Sequence, residues 1–319
     1  MAGHMNAAPA PAPAVTTIQA RGLRKCYGDH VAVAGLDLDI AEGEFFGLLG
    51  RNGSGKTTTL HMLSTLIRPT SGTASVAGED ILARPVAVRA RIGLVFQESA
   101  LDRSLSVEEN LQFAGALYDL PPALVRRRTD ELLKLFDLGS KRRVAVGALS
   151  GGMRRALDIA RGVLHRPRVL FLDEPTIGLD VINRRAIWRF LARLRQEQGV
   201  TVVLTTHYLE EAVDCDRVVF MSHGKIIGSG KPVELIRSLA TSILEITADD
   251  AASIIARLKP ILGDCIQDAD HVQFRVRDGT ATLADWQRQL PPVHALALRE
   301  PDLNDVYVWM NHGAGGTPA

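Results

Sequence analysis

The run Gly50-Arg51-Asn52-Gly53-Ser54-Gly55-Lys56-Thr57 limits what this chain can become more than any other part of it. It fits Gly-x4-Gly-Lys-[Ser/Thr], directly after the continuously apolar Phe45-Phe46-Gly47-Leu48-Leu49 and before Leu60 and Leu63 of a helical pattern. Strand, glycine turn and helix in that order point successive backbone N–H groups and a helix N-terminus at an anion. The glycines let the backbone wrap the β- and γ-phosphates, Lys56 adds a point charge, and the Thr57 hydroxyl can ligate Mg²⁺. A nucleoside triphosphate is the implied ligand. The strand before the loop, apolar without alternation, reads as covered on both faces.

The same doubly buried pattern recurs at Val169–Leu172 and Val200–Leu204, whereas Leu36-Asp37-Leu38-Asp39-Ile40 alternates as a half-buried strand does. Helical patterns such as Leu124–Phe136 and Met153–Leu164 lie between them, so strands separated by helices predict a parallel sheet in an α/β domain. Arg217–Met221 and Ile226-Ile227, joined through Ser222-His223-Gly224-Lys225, predict a hairpin that closes it. After Pro232 a second texture begins, with strands at Ile243–Ile246, Val272–Val276 and Val293–Leu298 and helices at Asp250–Leu262, Leu283–Leu290 and Asp302–Met310. That βαβαβα order predicts a small separate α+β domain over 240–312. Residues 1–15 read as a cloning scar, Met1–His4, and an Ala/Pro tail, and 313–319 as a second tail, both expected to be disordered.

Val169-Leu170-Phe171-Leu172-Asp173-Glu174 ends its strand on two carboxylates, at the sheet edge where α/β proteins bind ligands. Alone, such a pair is a polar strand end; joined to the phosphate loop it reads as a site, with Asp173 holding Mg²⁺ and Glu174 polarising a water as general base. Leu149-Ser150-Gly151-Gly152-Met153 heads an Arg-rich helix and offers a cap hydroxyl and free backbone N–H groups, a plain helix cap or a second phosphate contact. Arg126-Arg127-Arg128, followed by Asp130 and Glu131, reads as a solvated face. With 37 Lys+Arg against 36 Asp+Glu no nucleic-acid partner is expected. No apolar run approaches a membrane span, and three scattered cysteines fit a reducing, cytoplasmic compartment.

Together these residues resemble the nucleotide-binding domain of an ATP-binding cassette (ABC) transporter, from about Ile18 to Glu234. The resemblance implies a P-loop NTPase cassette over 16–235, a parallel RecA-like sheet with antiparallel β and helical subdomains, followed by the small α+β C-terminal domain. It makes Gly50–Thr57 the Walker A loop, Gln97 the Q-loop, Leu149–Gly152 the signature, Leu170–Asp173 Walker B, Gly178-Leu179-Asp180 the D-loop and His207 the switch histidine. Catalytic roles are implied for Glu174, His207, Gln97 and Lys56, and Mg²⁺ contacts for Thr57, Gln97 and Asp173. Contacts to ATP fall to Gly50, Arg51, Asn52, Gly53, Ser54, Gly55, Lys56, Thr57 and Thr58, with Tyr27 stacking on adenine. Ser150, Gly151, Gly152 and Asp180 would meet the ATP of a second, head-to-tail copy.

Within the superfamily, His207–Ala212 and the segment Gln97–Asn110 look like the drug-exporter branch that works with ABC-2 type permeases, such as the daunorubicin-resistance ATPases. The expected function is an ATPase subunit that drives export of an amphiphilic compound through a separately encoded permease, peripheral on the inner face of the membrane. An importer ATPase and a soluble ABC ATPase acting on ribosomes or DNA are the alternatives. Pro301–Tyr307 is similar to a motif, usually Leu-Glu-Asp-Val-Phe, near the end of such ATPases, with Asn304 and Tyr307 in place of Glu and Phe. Val181 likewise follows Asp180 where proline is common. Because 240–312 carries no catalytic motif, its removal after Leu239 is expected to leave nucleotide binding near normal and to weaken assembly.

Overall fold

The computed structural model describes residues 15–277 and 282–313; most of the two expected tails lies outside the described residues. The chain opens with two long strands, β1 (Thr16–Tyr27) and β2 (His30–Ala41), then β3 (Phe45–Leu49) and α1 (Lys56–Leu63). β4 (Ser71–Val76) and β5 (Glu79–Asp80) return to β1, giving an antiparallel sheet in the order β2-β1-β4-β5. Next come α2 (Pro85–Arg91), β6 (Ile92–Val95), α3 (Val107–Leu117), α4 (Pro122–Leu135) and α5 (Gly151–Val163). The cassette finishes with β7 (Val169–Asp173), α6 (Val181–Gln198), β8 (Thr201–Thr206), β9 (Arg217–Ser222), β10 (Lys225–Gly230) and α7 (Pro232–Leu239).

β10-β9-β3-β8-β7-β6 form one sheet, parallel except for β10, which pairs antiparallel with β9 as the hairpin expectation required. Every residue of β3, β7 and β8 is buried, which is why these strands read as unbroken apolar runs. Because β8 lies between β3 and β7, the loops that follow these three strands emerge side by side at one sheet edge. α3, α4 and α5 pack through Val107, Leu111, Val125, Leu132 and Leu157 beside that edge. A capping box between Ser106 and Glu109 fixes where α3 starts.

The remaining elements are β11 (Ser242–Thr247), α8 (Ala251–Leu262), β12 (Cys265–Asp268), β13 (His271–Val276), α9 (Leu283–Gln289), β14 (Ala295–Arg299) and α10 (Leu303–Gly313). β12 is an addition to the expected βαβαβα order; its Cys265-Ile266-Gln267-Asp268 is too short and polar to announce itself. The sheet β12-β13-β11-β14 has its own core around Leu244, Ile246, Phe274 and Trp286. α10 does not belong to that core: Leu303, Val306, Tyr307 and Trp309 are buried in the cassette's cluster with Phe220 and Leu209. Removal after Leu239 would therefore strip four side chains from the cassette, each contributing on the order of 1.5–3 kcal/mol when fully buried, so a loss of stability adds to the weakened assembly expected of that truncation.

Candidate functional site

Two glycines force the course of the phosphate loop. Gly50 has φ +151° and a Cβ there would lie 2.3 Å from the Met221 carbonyl oxygen; Gly55 has φ +103° and its Cβ would lie 2.5 Å from that of Ala32. No side chain fits either position, so the loop lies against β2 and the β9–β10 turn, where Gly224 N–H donates to Ser54 O at 3.0 Å. Lys56 starts α1, is 4% exposed, and donates from Nζ to Gly50 O at 2.7 Å and Arg51 O at 3.1 Å. Among the described residues no carboxylate comes within 4.0 Å of that ammonium. Burial lowers its pKa, opposed by the charges of Glu174 and Asp173. A buried cation held only by carbonyl dipoles is a place made for an anion.

At the end of β7, Asp173 Oδ1 accepts from Thr57 Oγ1 at 3.0 Å and from Thr205 Oγ1 of β8. The pair of Thr57 and Asp173 offers hard oxygen donors of the kind Mg²⁺ takes. Among the described residues no cluster of three or more His, Cys, Asp or Glu could hold a metal by itself. Gln97 lies just beyond β6, whose Val95 is in register with Leu172, so it stands at the same edge, exposed.

Glu174 is 7% exposed and sits at φ +44°, a conformation that costs a non-glycine residue about 1–3 kcal/mol and must be held by its surroundings. Its N–H donates to Thr205 O and Thr205 Oγ1, both at 3.1 Å, and its C=O accepts from Arg155 Nη2 at 3.1 Å. The turn aims the carboxylate at His207, whose Nδ1 is 3.0 Å from Oε1. His207 is backed by Tyr208, with ring centroids 4.1 Å apart, and the Arg184 guanidinium lies 4.4 Å over the Tyr208 ring.

Arg155, on the signature helix, is the residue that sequence reasoning missed. It is buried and donates to the carbonyls of Phe96 at 2.5 Å, Asp173 at 3.0 Å, Glu174 at 3.1 Å and Pro175 at 2.7 Å. One planar fork thus ties the segment before Gln97 to the strand end that carries both acids. Burial lowers its pKa, against the attraction of Asp158 and Asp173. In sequence Arg154 and Arg155 look alike; only the face of α5 distinguishes them.

The signature turn is arranged otherwise. Ser150 is exposed and caps α5, its Oγ accepting from Met153 N at 3.2 Å. A Cβ on Gly151 would meet nothing within 4 Å, whereas one on Gly152 would lie 2.3 Å from Asn183 Oδ1. Asn183 N in turn donates at 2.9 Å to Asp180, the exposed cap of α6, so signature and D-loop abut within one chain. The Asn183 hydrogen bonds also hold the Asp180 carboxyl below its ordinary pKa. Tyr27, 51% exposed, ends β1 at the hairpin tip opposite His30, with Lys25 Nζ 5.0 Å from its ring centroid.

Comparison with known proteins agrees with this geometry. Residues 33–177 match the ABC transporter family. The chain is 40% identical over 301 residues to the daunorubicin resistance ATP-binding protein DrrA3 of Streptomyces coeruleorubidus, covering 92% of this chain and 95% of that one. It is 42% identical over 298 residues to the Nod factor export ATP-binding protein I of Ralstonia nicotianae, covering 91% and 92%. Among solved structures it resembles cbiO1 from Clostridium perfringens, with a TM-score of 0.65 and 28% identity over 78% of this chain and 96% of that one. It also resembles the dimeric cassette MJ0796 in a post-hydrolysis state bound to ADP and Pi, with a TM-score of 0.62 and 28% identity over 67% and 98%. A buried lysine in a phosphate loop, an acid–histidine pair beside it and relatives matched over nearly their whole length have one meaning: the chain belongs to the ABC transporter family and is one of its ATP-hydrolysing subunits.

Proposed function

We propose that the chain powers an exporter, pairing head to tail with a second copy and docking on a separately encoded ABC-2 type permease at the inner face of the membrane, with an amphiphilic compound as cargo. The observation that carries the chemistry is the buried Lys56, unpaired by any described carboxylate, beside the Glu174–His207 pair. Lys56 and the loop N–H groups hold the β- and γ-phosphates, and Tyr27 stacks on the base. Thr57, Asp173 and Gln97 would hold Mg²⁺, which when bound offsets charge on the phosphate oxygens. Glu174 takes a proton from the attacking water as its oxygen bonds to the γ-phosphorus and ADP leaves. His207 orients Glu174 and meets the γ-phosphate. Ser150–Gly152 and Asp180 of the second copy cover that phosphate from the other side. Residues 16–235 carry the catalytic motifs and 240–312 form an accessory unit whose last helix, α10, packs into the catalytic one.

The permease has a seat beside the Q-loop. Leu66, Phe96, Phe113, Leu117 and Tyr118, all exposed apolar side chains, line one groove between α1, β6 and α3, with Arg89 and Arg161 at its rim. The groove suits a short amphipathic helix, and Arg155 joins Phe96 to the catalytic turn, so a push at the groove reaches Glu174. Among the described residues no helix is long and apolar enough to cross a membrane. Export rather than import is supported by the drug-resistance and Nod factor export relatives. The test is co-reconstitution in vesicles with the membrane protein encoded beside this chain, following an anthracycline. MgATP-dependent movement away from the ATPase side is expected, and movement toward it would overturn export.

A further inference from the structure

We propose that Tyr307 is a positioning residue for the phosphate loop, holding its first turn through the Arg51 N–H and so making helix α10 part of the ATP site. Arg51 N donates to Tyr307 Oη at 3.3 Å, across 256 residues of sequence. The hydroxyl is delivered by an element fixed at both ends. At its start, Arg299 forks onto both oxygens of Asp305, at 2.7 and 2.8 Å, and also pairs with Glu245 of β11. Further along, the Tyr307 ring lies 5.8 Å from that of Phe220 on β9, and Met310 fills the space over Gly228 of β10. β9 and β10 are the strands whose turn supports Ser54 and whose Met221 carbonyl excludes a side chain at Gly50. Loop and helix thus share one floor.

The main chain of Arg51 is held on both sides, its N–H by Tyr307 and its C=O by Lys56. When a phosphate draws Lys56 Nζ toward itself, the tyrosine remains, and the first turn of the loop does not have to be ordered at the expense of binding. Phenylalanine, usual at this place in the motif that Pro301–Tyr307 resembles, would fill the same space and accept nothing. Coupling between two sites is reciprocal, so nucleotide that is held better because α10 is docked must also dock α10 better.

The test uses the full chain carrying Glu174→Gln, so that ATP stays intact, with and without Tyr307→Phe. Equilibrium binding of MgATP and hydrogen exchange of residues 303–313 are read. MgATP should slow exchange across α10 in the parent. Tyr307→Phe should weaken MgATP binding roughly 2–10-fold, the loss of one neutral hydrogen bond, and abolish that slowing. With Glu174 restored, KM for ATP should rise by the same factor at unchanged kcat. A ring that only packs would make Phe indistinguishable from Tyr in affinity and in exchange, and that result overturns the proposal. Tyr307→Ala, which lowers thermal stability under either view, does not discriminate and serves only to calibrate the cavity.

Discussion

Around the phosphate loop the chain closes on itself; around Ser150–Gly152 it stays open. A methyl group at Gly50 or Gly55 would collide with backbone oxygens of neighbouring strands, Lys56 is buried, and Glu174 is tied at both its N–H and its C=O. At the signature, Ser150 and Gly151 face outward, and nothing beyond its own helical turn lies within 4 Å of a Cβ at Gly151. The first half is complete and preorganised, while the second is a cap without contents. Under the head-to-tail pairing proposed above, one polypeptide would carry the donor of one site and the lid of another, and a single copy would not be a whole enzyme.

The largest effect should come from the closed half. Glu174→Gln keeps shape and reach but removes the base, so turnover should fall by roughly 10²–10⁴-fold while MgATP still binds, as read by steady-state phosphate release and equilibrium affinity. Unchanged turnover would take the chemistry away from this half.

Gly151→Asp probes the open half. Since nothing beyond its own helical turn lies within 4 Å of a Cβ there, the melting temperature should be unchanged, yet a carboxylate would face the partner copy's γ-phosphate and lower permease-coupled ATPase activity about tenfold or more, on the scale of a close like-charge contact. A heterodimer of Gly151→Asp with Lys56→Ala gathers both lesions in one site and should outperform either homodimer. Full activity of the Gly151→Asp homodimer would break the comparison.

Arg155→Lys tests the link between the halves. Lysine keeps the charge but cannot fork to four carbonyls, so the ratio of permease-stimulated to basal ATPase rate should fall several-fold, with a stability loss of about 1–3 kcal/mol in chemical denaturation. A fall in stability with an unaltered ratio would reduce Arg155 to a strut.

The smallest effect is one of pH, and it lies past the end of α5 remote from the signature. His165 stacks on Tyr118 at 3.8 Å with its Nε2 2.9 Å from Ile92 O, and burial, helped by Arg128, pushes its pKa down to about 4. The native state favours the neutral ring, so its contribution is whole above the ordinary pKa of about 6.5 and drains away as pH falls toward 4. Melting temperature should drop over that window by a few degrees, and His165→Gln should flatten the slope.

How much was legible follows the same division. The phosphate loop, the acid pair and the signature are short contiguous runs, because wrapping a phosphate or capping a helix is done by neighbours in sequence. Even the strands showed, since burial on both faces leaves an unbroken apolar run. Arg155 and Tyr307 were not legible: each acts through carbonyl or N–H groups brought near by the fold, and backbone groups leave no letter in a sequence. β12 escaped because four residues are too few to show a period.

The placement of α10 also governs how the protein is made. Phe220 and Tyr307 meet in one core although 86 residues lie between them, so at roughly 5–20 residues per second a ribosome needs about 4–17 s to supply the second after the first. During that interval the nascent cassette shows bare apolar surface on β9 and β10, a natural station for a chaperone. A message cut short in that window should yield a product of lower stability, because the cluster then lacks the buried side chains of α10.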